Sequence, residues 1–267
     1  MNVSARVDDG ELSRKLARAS NVLGKGVGEL LRFYSAPAVM DLLRTYPPMV
    51  TVGGRDSFAK QKQLGMGAID RDVGKVYVSL GTVVEEVRVA TAAESADGAA
   101  ARGFAKLVRQ GRVAEARALL RRVGLADYAA LEMGRFDAKY HEKSRNRRGR
   151  VSRRRKAQVV VDVASLRRYV RELKGKIGFL KSGWLRGYRG AGGKGAVPRW
   201  ISAHGGGAGG VVDLTGRQLN PSFTVINAVN YARVQDARGG LAALVIARSR
   251  ARMVRGLDGA VRRKLRR

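Results

Sequence analysis

No cysteine occurs in these 267 residues, which removes disulfides, zinc ribbons and thiol catalysis together. Histidine is nearly as scarce. Only His141 and His204 are present, so a metal site would need both to meet and to recruit carboxylates. No metal and no cofactor is expected. Acidic residues are few, 22 Asp and Glu against 53 Lys and Arg, leaving a formal net charge of +31. A chain with that excess repels itself unless polyanions or acidic neighbours surround it. Nucleic acid, or a place in an assembly containing it, is the first inference. No apolar run approaches the roughly 18 residues a membrane span requires. Asp8, Asp9 and Glu11 stand where a secretory or transit leader would be basic or apolar. A cytoplasm-like setting without a membrane is therefore expected. With 45% hydrophobic residues the chain can still bury a core, in one elaborated domain or two small ones.

The apolar periodicity predicts an α+β fold: a small mixed or antiparallel sheet packed by long amphipathic helices, with helical and basic-loop insertions. Residues 2–7 alternate as a strand, and a helix from Glu11 carries Leu12, Leu16, Ala19, Leu30, Leu31 and Tyr34, broken or restarted at Pro37 and ended by Tyr46-Pro47-Pro48. A second amphipathic pattern runs from Phe58 to Leu80. The β-branched run Thr82 to Val89 reads as a strand, and residues 90–101 as a linker or frayed helix. Two short helices then meet at Gln110-Gly111, with Gly124 as a C-terminal cap.

After the strand Ala157 to Val163, apolar residues at Leu166, Tyr169, Val170, Leu173, Ile177, Leu180, Trp184 and Tyr188 keep helical spacing. Glycine loops at 187–196 and 205–210, read as mobile, bracket a helical turn at 198–203. The strand Phe223 to Tyr231 follows, in which Asn227 and Asn230 can satisfy backbone groups. A last amphipathic helix spans Leu241 to Leu265. The parts are an N-terminal strand-helix region at 1–90, a helical insertion at 91–135, a basic arm or loop at 136–160, and a C-terminal helix-strand-helix region at 161–267.

Sites of chemistry fail on spacing. Gly190 to Gly195 mimics a phosphate loop, but Tyr188 stands where the first glycine belongs, Gly195 replaces the magnesium-binding Ser or Thr, and a helix precedes it. The carboxylate pairs Asp70 with Asp72 and Glu85 with Glu86 do not converge on either kind of element. Ser202 and His204 lack an orienting acid and oxyanion donors. No enzyme activity is expected.

The block from Lys139 to Lys156 needs no geometry to act. It holds Arg145, Arg147, Arg148, Arg150, Arg153, Arg154, Arg155 and Lys156 with Glu142 as its one acid, and reads as an arm ordered only by a partner. Arginines on phosphates release counterions and give salt-sensitive, sequence-blind affinity. The same pattern serves an acidic protein surface equally well. Trp184, Trp200 and Tyr231 are the expected packing anchors of assembly.

The order of elements resembles the tail-completion or head-tail joining (neck) proteins of long-tailed bacteriophages. The resemblance is carried by the short first strand, the Asp-Gly-Glu-Leu start of a long helix, Tyr46-Pro47-Pro48, and the late run Val225 to Ala232 before a final helix. Lys176 to Trp184, Pro198 to Ile201 and His204 also resemble segments of tailed-phage virion proteins. It implies an α+β subunit in a closed ring between the DNA-filled head and the tail, touching portal, adaptor or tail proteins and packaged DNA. It implies no catalytic residues, and a location in the virion after assembly in the host cytoplasm. The alternative is a ribosome-type or other RNA- or DNA-binding structural protein that uses its basic arm on phosphates.

Overall fold

The computed structural model describes residues 3–5, 10–48, 57–93, 98–145, 151, 156–216, 221–229, 232 and 240–266. The chain starts with β1 (Val3–Ala5), α1 (Gly10–Leu23), α2 (Val27–Thr45), α3 (Phe58–Val76), β2 (Tyr77–Ser79), α4 (Leu80–Ala90), α5 (Ala99–Arg109), α6 (Val113–Arg122) and α7 (Ala126–Ala129). It continues through β3 (Glu132–Gly134), α8 (Lys139–Lys143), β4 (Gln158–Val160), α9 (Val163–Gly175), α10 (Phe179–Ser182), α11 (Leu185–Gly190) and α12 (Arg199–Ser202). The strands β5 (Gly209–Asp213) and β6 (Phe223–Asn227) precede a final helix, Leu241–Leu265. The fold is α+β, and the described residues form two three-stranded sheets. Contacts divide the chain into two units, Met1–Gly65 with Lys176–Arg267, and Met66–Gly175.

In the first unit the sheet is antiparallel in the order β1-β6-β5, with Val225 of β6 paired to Ala5 on one side and Val211 on the other. Phe223, Val225 and Asn227 alternate inward, as the two-residue period of a strand requires. Phe223 and Val225 meet Leu30, Val39 and Leu42 of α2 and Val245, Met253 and Leu257 of the final helix in one hydrophobic cluster. Glu11 pairs with Arg250 and Lys15 with Asp258, so α1 and the final helix run in the same direction.

Two helix boundaries differ from expectation here. The break after α1 falls at Gly24, where φ is +64° and its N–H closes on Ser20 O at 3.0 Å, and not at Pro37, which lies inside α2. Pro37 deprives the Phe33 carbonyl of its donor, but Phe33 is 68% exposed and water can replace the lost bond. The helix expected from Leu166 to Tyr188 is three: α9 ends at Gly175, Gly178 turns at φ +95°, and α10 and α11 restart. Its apolar residues divide accordingly, Leu166 to Leu173 into the second unit's core and Leu180, Trp184 and Tyr188 into the first's.

The second unit is layered on a parallel sheet in the order β2-β4-β3. Successive residues of a strand point to opposite faces. Val78, Val159 and Met133 pack with α4, α5 and α6 through Val83, Val87, Phe104, Val108 and Leu120. Tyr77 and Val160 pack on the other side with Val73 and Val76 of α3, Val151, and the stripe of α9. Helices on both faces are what a parallel sheet needs.

The run Thr82 to Val89 is helix α4, correcting the strand reading. Ser79 Oγ accepts from Thr82 N at 3.0 Å as an N-cap, and Val83 and Val87, one turn apart, are both fully buried. Tertiary packing overrides β propensity there. The paired helices α5 and α6 and the cap at Gly124, whose φ is +78°, agree with expectation.

Candidate functional site

In the first unit the segment from Lys176 to His204 is closely packed. Lys181 of α10 is 0% exposed, and its ammonium donates to the carbonyls of Leu43 at 2.7 Å, Arg44 at 3.3 Å and Tyr46. Leu43 and Arg44 belong to the last turn of α2, whose carbonyls the helix cannot satisfy internally and which carry its negative dipole end, and Tyr46 is its C-cap. Burial pushes the Lys181 pKa down to about 7, while three acceptors match the three N–H bonds only the charged form has. Trp184, also 0% exposed, stands edge-on to Tyr46 with ring centroids 5.2 Å apart.

Glycines make this packing possible. A Cβ on Gly183 would lie 2.0 Å from Asn227 Oδ1, and one on Gly187 2.0 Å from Val225 Cγ1. Asn227, at the end of β6, donates to Leu180 O at 2.9 Å and accepts from Val229 N at 3.1 Å, as expected of a strand-end asparagine. Trp200 is half-buried and edge-on to Phe58 at 6.4 Å. His204 Nε2 donates to Ile177 O at 3.0 Å, so its imidazole holds backbone and not Ser202.

The loop after Gly190 is not a free glycine hinge. Gly195 N donates to the Tyr188 hydroxyl at 2.7 Å, and Gly193 lies so close to that ring that a Cβ would be 2.2 Å from it. Glycine here permits close approach of backbone to an aromatic. A hollow of about 70 Å³ beside Val39, Val225 and Met253 is far below the roughly 300 Å³ of small-molecule sites.

In the second unit the described parts of the basic segment pack against their surroundings. Lys139 to Lys143 form α8, His141 and Val151 are buried, and Arg145 bridges Val151. Lys156 Nζ sits 5.1 Å over the Tyr128 ring. Arg145 and Lys156 are both exposed, while Arg147, Arg148, Arg150, Arg153, Arg154 and Arg155, with Tyr231, lie outside the described residues.

His141 was not foreseen as a structural residue. Its Nδ1 meets the Tyr169 hydroxyl at 2.7 Å, its backbone N–H donates to Tyr77 Oη at 3.1 Å, and Tyr77 in turn donates to Asp137 O at 2.8 Å. Burial, with the Arg145 guanidinium adding to it, holds the His141 pKa below the ordinary value. Burial likewise pushes Tyr77 up to about 12.

A groove of about 690 Å³ lies between α3 and α9. Val73, Gly74 and Tyr77 form one wall, Leu166 and Val170 the other, and Arg167 and Arg171 stand on its rim. Gly74 lines this groove, and a Cβ there would meet nothing within 4 Å. Among the described residues no group of three His, Asp or Glu could hold a metal ion. Comparison with family models, with curated proteins and with solved structures finds no match to this chain.

Proposed function

We propose that this chain is a non-enzymatic structural protein of a tailed-bacteriophage virion, a neck or tail-completion subunit that assembles as a ring and joins capsid to tail. The observation that carries this reading is how the residues of Lys176 to His204 are used. Lys181, Trp184, Trp200 and His204 each hold backbone or ring, Gly183 makes room for the Asn227 side chain, and none of them is aimed at a reactive centre. A segment in which polar and aromatic residues serve packing suits a scaffold better than a catalyst. The charge supports a place beside acidic neighbours or DNA: from Lys176 onward the acids are Asp213, Asp236 and Asp258 alone. Arg145 and the arginines at 147, 148, 150 and 153–155 are the groups proposed to dock there.

Mass spectrometry of purified virions tests this directly. The chain is expected at a stoichiometry of one ring per particle, and micrographs of the purified protein are expected to show rings. Its absence from virions, with a monomer at native concentration, would overturn the reading. Salt-dependent binding to structured RNA, without virion incorporation, would favour the nucleic-acid-binding alternative.

A further inference from the structure

The geometry of the second unit points to a specific contact: copies of this chain associate head to tail, the end of α4 on one copy seating in the groove between α3 and α9 of the next. This deepens the ring reading and rests on it only for the expectation that copies meet.

The socket is apolar with a positive rim. Helix α9 carries an apolar stripe, yet none of its residues is fully buried, so that face is left partly uncovered beside the hollow over Gly74. Arg167 and Arg171, one turn apart and both exposed, flank it. Asp70 is the one carboxylate among the lining residues, and Lys174 holds it at 2.7 Å. An occupant must bring an apolar side chain with a carboxylate next to it.

The same unit displays such a knob. Val89, at the end of α4, is 62% exposed and is the one large hydrophobic residue so exposed among the described residues of 66–175. Glu86 lies three residues before it, on the neighbouring position of the helix surface. It is exposed and, among the described residues, makes no ion pair, whereas Glu85 is already bound by Arg88 at 2.5 Å.

The two patches lie on opposite faces of the parallel sheet. Val83 and Val87 anchor α4 on the side of Val78 and Val159, and Val73 and Leu166 anchor the socket helices on the side of Tyr77 and Val160. One copy's knob therefore meets its neighbour's socket while leaving a socket and a knob open at the two ends. That is a heterologous contact, the kind that closes into a ring when the rotation between copies allows it.

Complementation tests it on the full chain by analytical ultracentrifugation at physiological salt, where screening over about 8 Å limits repulsion between the basic copies. The socket variant is Gly74→Gln and the knob variant Glu86→Gln with Val89→Gln. Space over Gly74 and exposure of Val89 predict wild-type thermal midpoints for both. Wild type is expected to form species beyond the dimer, each variant alone to stay monomeric, and an equimolar mixture to form a dimer and nothing larger. Wild-type assembly by either variant, a monomeric mixture, or a monomeric wild type overturns the contact. Rings that persist in both variants place the ring interface elsewhere and leave the virion reading standing. Absence from virions sinks that reading without touching the complementation result.

Discussion

Lys181 reaches the carbonyl of Leu43 across 138 positions of sequence at 2.7 Å, a buried ammonium closing the end of a helix that it does not belong to. Burial opposes that charge, and the carbonyls of Leu43, Arg44 and Tyr46 favour it. Lys181→Met keeps the length of the side chain and removes the donors, so the balance can be measured. With the carbonyls left unpaired, the variant is expected to lose about 3 kcal/mol of unfolding free energy in urea, in line with hydrogen bonds to a charged group. Equal or greater stability in the Met variant would mean that the cost of burying the amine outweighs its three hydrogen bonds.

His141 gives the fold a pH dependence of definite sign. Its folded pKa is depressed, by burial first and by Arg145 second, while the unfolded chain titrates near the ordinary value of about 6.5. Above that value both states are neutral at this position and the contribution is fully present. As pH falls below it the unfolded chain takes up the proton first, so stability declines until the folded pKa is reached. Denaturation midpoints between pH 7 and pH 5 are expected to fall for the wild type and to fall less for His141→Gln. Parallel curves for the two proteins would remove His141 as the cause.

The glycines separate into those that make room and those that do not. Gly187→Ala would place a Cβ 2.0 Å from Val225 Cγ1, forcing α11 away from β6, and is expected to cost about 1–3 kcal/mol as overpacking does. Gly103, inside α5, has nothing within 4 Å of the same added atom. Gly103→Ala is expected to gain up to about 1 kcal/mol from helix propensity alone. Thermal midpoints that move in the same direction for both variants would contradict this division.

Where one helix repeats an apolar stripe against one core, its limits were readable: the final helix begins at Leu241 and ends at Leu265 as its periodicity predicts. Gly256 sits within it because Tyr34 packs where a side chain would be, 2.9 Å from an added Cβ. The stripe from Leu166 to Tyr188 misled because it joins segments serving two different cores, and a period carries no record of which core it faces. Thr82 to Val89 misled because β-branched residues fill a helix face as readily once Ser79 caps it. The parallel sheet has strands of three residues, too short for any alternation to declare itself. Of the site, Trp184 and Trp200 lie against Tyr46 and Phe58 within the first unit, in a segment whose apolar residues already marked it for packing. The burial of Lys181 and His141 was not legible, since long-range partners decide it.

The basic segment offers a last test, because its described anchors, His141, Val151 and Lys156, are not among the six arginines at 147, 148, 150 and 153–155. His141 and Val151 are buried and Lys156 lies over Tyr128, so changing Arg147, Arg148, Arg150, Arg153, Arg154 and Arg155 to Gln leaves these anchors in place. The thermal midpoint of the six-fold variant is expected to hold. If those arginines meet DNA phosphates, each contact contributes about 0.9 to the log-log slope of affinity against salt, and removing six lowers it by up to about 5. Fluorescence anisotropy with a short duplex between 50 and 200 mM salt reads that slope. A slope that does not change assigns the segment to an acidic protein surface instead, and binding by the arginines that remain, along the final helix for example, would then account for any affinity left.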